Sequence, residues 1–299
     1  MNTEKHGRGH LLALLTVAIW GTTFISTKIL LESFTPVEIL FIRFSIGFIA
    51  LSIACRTLFY RAKHRQELYF ASAGLCGVTL YFLLENIALT YTFASNVGVI
   101  VVIAPFFTAI LGYFFSQDDK PTGRFFVGFV LALSGVILIM FNGSAVLELN
   151  PIGDLLAALA AFVWAIYSIL TKKISTFGYS TMQATQKIFF YGIILMLPAL
   201  PLLGFSPDLQ AMAKPVSFLN IIFLGLGASA LCFVTWNYTV KVIGSVKASA
   251  YIYLVPVITV VTSVIILKEQ LTTAMITGTA LALLGLFISE NRIGLRKKG

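Results

Sequence analysis

The chain reads as an all-α membrane protein of ten transmembrane helices, built as two inverted five-helix repeats. Three observations lead there. Ten stretches of about 20 apolar residues, parted by short polar turns, take up nearly all of its 299 residues. Mean hydropathy is +0.93, with 58% hydrophobic and only 11% charged residues, more apolar surface than a soluble domain of this length can bury. The second half of the sequence also repeats the first. A bilayer core about 30 Å thick is crossed by about 20 helical residues, and only helices or closed barrels satisfy their own backbone there. Barrel strands alternate in polarity, whereas these segments run solidly apolar.

The spacing predicts spans at 11–31, 36–56, 68–90, 94–116, 123–141, 153–173, 180–203, 216–241, 245–267 and 272–289. The remainder is a cytoplasmic N-terminal segment (1–10), a first repeat (11–142), a connecting loop (143–152), a second repeat (153–289) and a basic cytoplasmic tail (290–299). The first span follows Lys5 and Arg8. Its apolar run continues past Trp20 without a small-residue cleavage pattern, so it is expected to be retained rather than removed as a signal peptide.

Orientation follows from the basic residues. With the N-terminus in the cytoplasm, 16 of the 21 Lys and Arg fall on the cytoplasmic side. They include Arg56, Arg61, Lys63 and Arg65 between the second and third spans, Lys172 and Lys173, and the tail from Arg292 to Lys298. Only Lys28, Lys214 and Lys268 lie near the outside, and Arg43 and Lys187 lie within spans. Both termini are therefore expected in the cytoplasm of a plasma (inner) membrane. The net charge of +9 is accounted for by topology and contact with lipid headgroups, with no nucleic-acid partner. Cys55, Cys76 and Cys232 stand singly inside spans, which implies neither a disulfide framework nor a metal site.

Sliding the sequence by 144 residues brings Leu11-Leu12-Ala13 onto Leu155-Leu156-Ala157, Trp20 onto Trp164, Thr27-Lys28 onto Thr171-Lys172 and Arg43 onto Lys187. At 151, Asn86 meets Asn237 and Pro105 meets Pro256; at 150, Gly135 meets Gly285. Each half holds five spans, an odd number, so the second half enters the membrane from the opposite face. Inverted repeats of this kind place a substrate site near the midplane between the halves.

The phrases AIWGTTFISTKIL, LLENIALTYTFASNVGVIVVIAPFFTAILGYFF and ASAYIYLVPVITVVTSVIILKEQL, with the two five-span halves, resemble the EamA-type branch of the drug/metabolite transporter superfamily over residues 11–289. The resemblance implies an inner-membrane carrier, commonly an exporter of amino acids or other small metabolites, with a central cavity between the halves. The family often carries Glu after its fourth and ninth helices. Glu269 matches the second, and Asp118-Asp119 stands in place of the first.

Candidate residues follow from depth and chemistry. Trp20 and Trp164 sit about ten residues into their helices, about 15 Å deep at 1.5 Å per residue. Tryptophan usually collects at the interfaces, so a repeat-related pair at mid-membrane suits a cavity lining; the alternative is helix packing by a large apolar ring. Pro105 and Pro256 lie near the middle of the fourth and ninth spans, where each removes a backbone hydrogen bond and bends the helix. Gly98, Gly112, Gly225 and Gly227 suit close helix approach. Arg43 and Lys187 are ionisable groups within spans and hence functional candidates, although both can snorkel to nearby headgroups, as Lys28 and Lys172 are expected to do. Glu85, beside Asn86 in LLENIAL, must be paired, hydrated or protonated if buried, and Arg43 is a possible charge partner. Tyr81, Tyr167, Trp236, Tyr238, Tyr251 and Tyr253 carry hydroxyls or an indole N–H that need partners when buried. The spacing of Tyr251 and Tyr253 sets them about 200° apart on a helix, so at most one should face a cavity. Asn237 is the repeat partner of Asn86 and joins the substrate-cavity candidates.

No catalytic set, metal cluster or phosphate-binding loop stands out, so neither an enzyme nor a cofactor is expected. The function read from the sequence is a secondary transporter of small organic solutes working by alternating access. A nucleotide-sugar or multidrug carrier of the same superfamily is the alternative, and a membrane-embedded enzyme the alternative from another class. The topology is directly testable. In a cysteine-free background, single cysteines at Val146 and Ala62 should react with an impermeant thiol reagent from outside and from inside respectively. The reverse pattern would overturn the orientation.

Overall fold

The computed structural model describes residues 2–56, 62–91, 97, 100–115, 122–140, 150–267 and 272–290. Among them are helices and turns and no strand. The α-helices of six residues or more are α1 (Asn2–Leu31), α2 (Pro36–Cys55), α3 (His64–Gly74), α4 (Tyr81–Tyr91), α5 (Ala104–Phe115), α6 (Gly123–Met140), α7 (Pro151–Ile174), α8 (Thr181–Met196), α9 (Pro215–Ile222), α10 (Cys232–Ile243), α11 (Ser245–Ala250), α12 (Leu254–Leu267) and α13 (Thr273–Glu290). Among the described residues, four continuous runs are long and apolar enough to cross a bilayer: Pro36–Cys55, His64–Ala88, Pro151–Ile174 and Pro215–Ile243. Large apolar side chains such as Ile53, Phe114, Phe115 and Leu155 remain exposed, a surface suited to lipid and not to water.

Local chemistry accounts for the starts of these helices. Thr35 and Glu38 form a reciprocal capping box with Pro36 in the first turn, satisfying amide groups that a helix leaves open. Asn150 accepts from the amides of Ile152 and Gly153 ahead of Pro151, and Ser180 boxes with Gln183. Gly244, at φ 90°, makes the reversal between α10 and α11 in a region that favours glycine.

Three features depart from simple spans. The helix of the first span extends through the N-terminal segment: α1 is helical from Asn2. The third span begins at His64, four residues before its expected start, so Glu67 is part of the helix. The ninth is interrupted: α11 ends at Ala250, Tyr251–Tyr253 form a tight 3-10 turn, and α12 restarts at Leu254. Pro256 lies just after that interruption, as Pro105 lies just after the turn made by Ile103 N–H to the Ile100 carbonyl. Each proline lacks the N–H that would bond four residues back, so the disturbance falls on the turn preceding the proline rather than at it.

The sequence patterns also concealed two wide π-helical stretches, Leu75–Leu80 between α3 and α4 and Phe223–Leu231 between α9 and α10. The amides of Tyr81 and Cys232 reach back five residues, to the carbonyls of Cys76 and Gly227. At the 151-residue offset the first stretch falls inside the second, so the two halves share the irregularity. Each packs against a helix of the other half: the first on α8 and the second on α2. A methyl group on Gly74 would meet the Gly192 amide at 2.6 Å, and one on Gly225 would meet the Ile46 side chain at 2.7 Å. Gly225 therefore does serve close approach. Gly227 does not, having nothing nearer than 3.5 Å.

The most intimate contact joins α6 to α13. Gly128, Ala132 and Gly135 face Gly285, Ala282 and Gly278. A methyl on Gly285 would lie 2.5 Å from the Gly128 carbonyl oxygen, and one on Gly128 2.6 Å from that of Gly285. Other pairings also run between the halves: α1 packs on α10 and α12, and α7 packs on α4 and α5. The side chain of Lys28, together with Gly98, Asp118-Asp119, Glu269, most of the connecting loop and the tail beyond 290, lies outside the described residues.

This seam makes a stability prediction. Gly285→Val should cost roughly 1–3 kcal/mol through overpacking against backbone, read as a fall in thermal midpoint of the detergent-solubilised protein. Gly227→Ala, in ordinary contact distance, should leave the midpoint nearly unchanged. Equal midpoints for both variants would remove the seam from its structural role.

Candidate functional site

Three helices bring three tryptophans together: Trp20 from α1, Trp164 from α7 and Trp236 from α10. Ring centroids lie 5.4 Å apart for Trp20 and Trp164, 5.1 Å for Trp20 and Trp236, and 6.1 Å for Trp164 and Trp236. Phe233 touches Trp20 and Trp164, Tyr81 packs on Trp164 at 4.9 Å, and Tyr167 packs on it at 5.0 Å. These separations are those of edge-to-face and tilted aromatic pairs, worth about 0.5–1.5 kcal/mol each beyond burial. Both Trp20 and Trp164, matched at the 144-residue offset, therefore meet at the junction of the two halves.

The indole N–H groups divide into two kinds. Trp20 Nε1 donates to the Ala228 carbonyl at 3.1 Å, within the π-helical stretch. Trp164 Nε1 and Trp236 Nε1 are buried with no hydrogen-bond acceptor, a condition costing about 1–3 kcal/mol per donor. Both rings belong to the same cluster, so two unsatisfied donors stand within it.

A polar layer borders the aromatic cluster. The Tyr167 hydroxyl donates to Asn237 Oδ1 at 2.8 Å, and Asn237 Nδ2 donates to Thr185 Oγ1 at 3.0 Å, which links α7, α10 and α8. On the first half, the Tyr81 hydroxyl donates to Glu85 Oε1 at 3.0 Å. Arg43, buried at 7% exposure, donates through Nε to Ser229 Oγ at 2.9 Å. Its guanidinium lies 5.4 Å from the Phe44 ring centre and 5.0 Å from that of Phe82, cation–π distances. The Arg43 and Glu85 charges attract one another without forming an ion pair. Asn86 is half-buried on the same helix.

Other candidates lie elsewhere. Lys187, repeat-related to Arg43, pairs with Glu67 of α3, which also accepts from the Tyr191 hydroxyl at 2.8 Å and the Ala62 amide at 3.1 Å. Its ammonium sits 5.4 Å from the Phe70 ring centre. Tyr251 meets His10 of α1, with 2.6 Å between its hydroxyl and Nδ1. Tyr253 packs with Val102, Ala132 and Val136, and its buried hydroxyl has no hydrogen-bond partner. Neither tyrosine stacks on the tryptophans. Pro105 and Pro256 are buried beside the helix interruptions. Trp236, marked in the sequence only for an indole N–H that needs a partner when buried, carries as much of the cluster as the matched pair. Ser229, Phe233 and Glu67 were missed. Serine and phenylalanine are too common in such spans to stand out, and Glu67 fell in an expected loop.

The model of the EamA-like transporter family matches the sequence twice, over residues 7–141 and 151–290. An uncharacterized transporter of Archaeoglobus fulgidus is 27% identical, covering 89% of this chain and 91% of that protein. A probable terminal-alkyne amino-acid exporter of Streptantibioticus cattleyicolor is 27% identical over 95% of this chain and 94% of its own. A probable amino-acid metabolite efflux pump of Escherichia coli K12 is 25% identical over 95% of both. A solved crystal structure superposes with a TM-score of 0.77 at 19% identity, covering 94% of this chain and 96% of the other, a likeness of fold.

The Lys187–Glu67 network has a separable role. Lys187→Met leaves the partly buried Glu67 without its cation and should cost roughly 1–3 kcal/mol, less than a fully buried pair because Glu67 is partly exposed. Adding Glu67→Leu should restore most of the thermal midpoint. A double variant no more stable than Lys187→Met would show that the pair is not what holds α3 to α8.

Proposed function

We propose that this chain, which belongs to the EamA-like transporter family, is a secondary carrier that exports small organic solutes, amino acids or related metabolites, by alternating access. In this reading ten helices cross the inner membrane as two five-helix repeats of opposite orientation, with both termini in the cytoplasm. The exchange of packing partners between the halves, α1 with α10 and α7 with α4, supports the inversion. It also supplies the mechanism: two near-equivalent halves can swap roles to open the site to either side.

The observation that carries the proposal is the pair of buried, unpartnered indole N–H groups of Trp164 and Trp236 where the halves meet. A solute carboxylate accepting from them relieves their desolvation cost, and the faces of Trp20, Phe233 and Tyr81 offer an apolar surface for its side chain. Tyr81 joins the cluster to α4, its ring packing on Trp164 and its hydroxyl donating to Glu85. The names of the two amino-acid-related relatives fit such a cargo. A nucleotide sugar fits less well, because its diphosphate calls for several cations and Lys187 is already neutralised by Glu67.

Transport of labelled neutral amino acids in proteoliposomes tests this. Trp164→Ala or Trp236→Ala should lower the initial exchange rate by about tenfold or more, the equivalent of about 1.4 kcal/mol, per folded molecule. Unaltered rates in both variants would reduce the cluster to packing.

A further inference from the structure

We infer that Glu85 is a proton-binding site of this protein, and that its proton decides whether Arg43 is held by Ser229 of the second half or by Glu85 of the first. The inference builds on the carrier reading, but its evidence is the local geometry. Arg43 and Glu85 belong to α2 and α4 of the same half, and their charges attract one another. Among the described residues they nevertheless form no ion pair. Arg43 is instead turned onto Ser229, in the π-helical stretch of the other half, with its guanidinium over Phe44 and Phe82.

Glu85 is left with the Tyr81 hydroxyl as its hydrogen-bond donor, half-buried in an apolar helix. A carboxylate so placed is costly to keep ionised without a cation. Two exchanges remove the cost: the carboxylate takes a proton, or it takes Arg43. Among the described residues, the charged and titratable groups that face it are Arg43 from α2 and Tyr81 from its own helix. On α7, packed along α4, Tyr167 is committed to Asn237 and Asp154 lies in the first turn.

The step balances. Protonated Glu85 with Arg43 on Ser229 loses one proton to the aqueous phase then in contact, the Arg43–Ser229 hydrogen bond breaks, and a Glu85–Arg43 ion pair forms. Because Ser229 lies in the second half, this step changes what joins the halves, and so links a proton to their relative position.

The test needs no transported solute, so its failure is distinct from failure of the carrier reading. The chain has 3 tryptophans, all in the cluster that Tyr81 touches, so intrinsic fluorescence reports on the site. Titrated in lipid nanodiscs, the parent protein should show a one-proton fluorescence transition that Glu85→Gln abolishes. Two conservative variants keep the inference testable if that one folds poorly. Tyr81→Phe removes a bond that favours the ionised carboxylate and should raise the transition by about one pH unit. Ser229→Ala frees Arg43 for Glu85 and should lower it. Persistence of the transition in Glu85→Gln, or an unmoved midpoint in both other variants, overturns the inference.

Discussion

Two helices that touch backbone to backbone set the frame on which the other contacts between the halves depend. Where α6 meets α13, glycines and alanines leave no room for larger side chains. Within a bilayer there is no hydrophobic force between helices, because lipid tails are as apolar as leucine. Close van der Waals approach and a few hydrogen bonds must do the joining. The seam joins the halves at one contact, and the aromatic cluster and a few polar links join them at others.

Those polar links are specific and unequal in the two halves. Arg43 reaches across to Ser229, while its counterpart Lys187 reaches across to Glu67. One cation is held by a neutral hydroxyl and the other by a carboxylate. The first arrangement is easily exchanged, since a hydroxyl offers a cation far less than a charge does. The second joins α3 to α8 with a further hydrogen bond from Tyr191, while the Ala62 amide holds the same carboxylate from its own chain segment. Matching positions have thus been put to different uses, one beside the aromatic cluster and one away from it.

The π-helical stretches belong to the same design. A widened turn frees carbonyls from the regular ladder, and such turns recur at functional positions. Here the Ala228 carbonyl accepts the Trp20 indole and Ser229 accepts Arg43, so a single irregular stretch positions one ring and one charge of the site. Its counterpart at Leu75–Leu80 presents Gly77 to the Tyr167 ring and Thr79 to the Gly192 carbonyl, at 2.9 Å. Both stretches lie where one half bears on the other.

The amino-acid sequence by itself determined the membrane class, the doubled family pattern and the position of several helices to within a few residues, as at Pro36–Cys55 and Pro151–Ile174. These follow from run length, caps and internal matches, which are local or pairwise properties of the chain. It also marked Trp20, Trp164, Arg43 and Glu85, because a ring at mid-span or a charge within a span is conspicuous against an apolar background. Tertiary structure alone decided that Trp236 completes the cluster, that Lys187 belongs to Glu67, that Tyr251 and Tyr253 turn to His10 and α6, and that two spans widen into π-helix. Each depends on which faces of distant helices meet. In a span apolar on nearly every side, periodicity gives no facing, so the partner is set only by packing against small residues and by the few hydrogen bonds within reach.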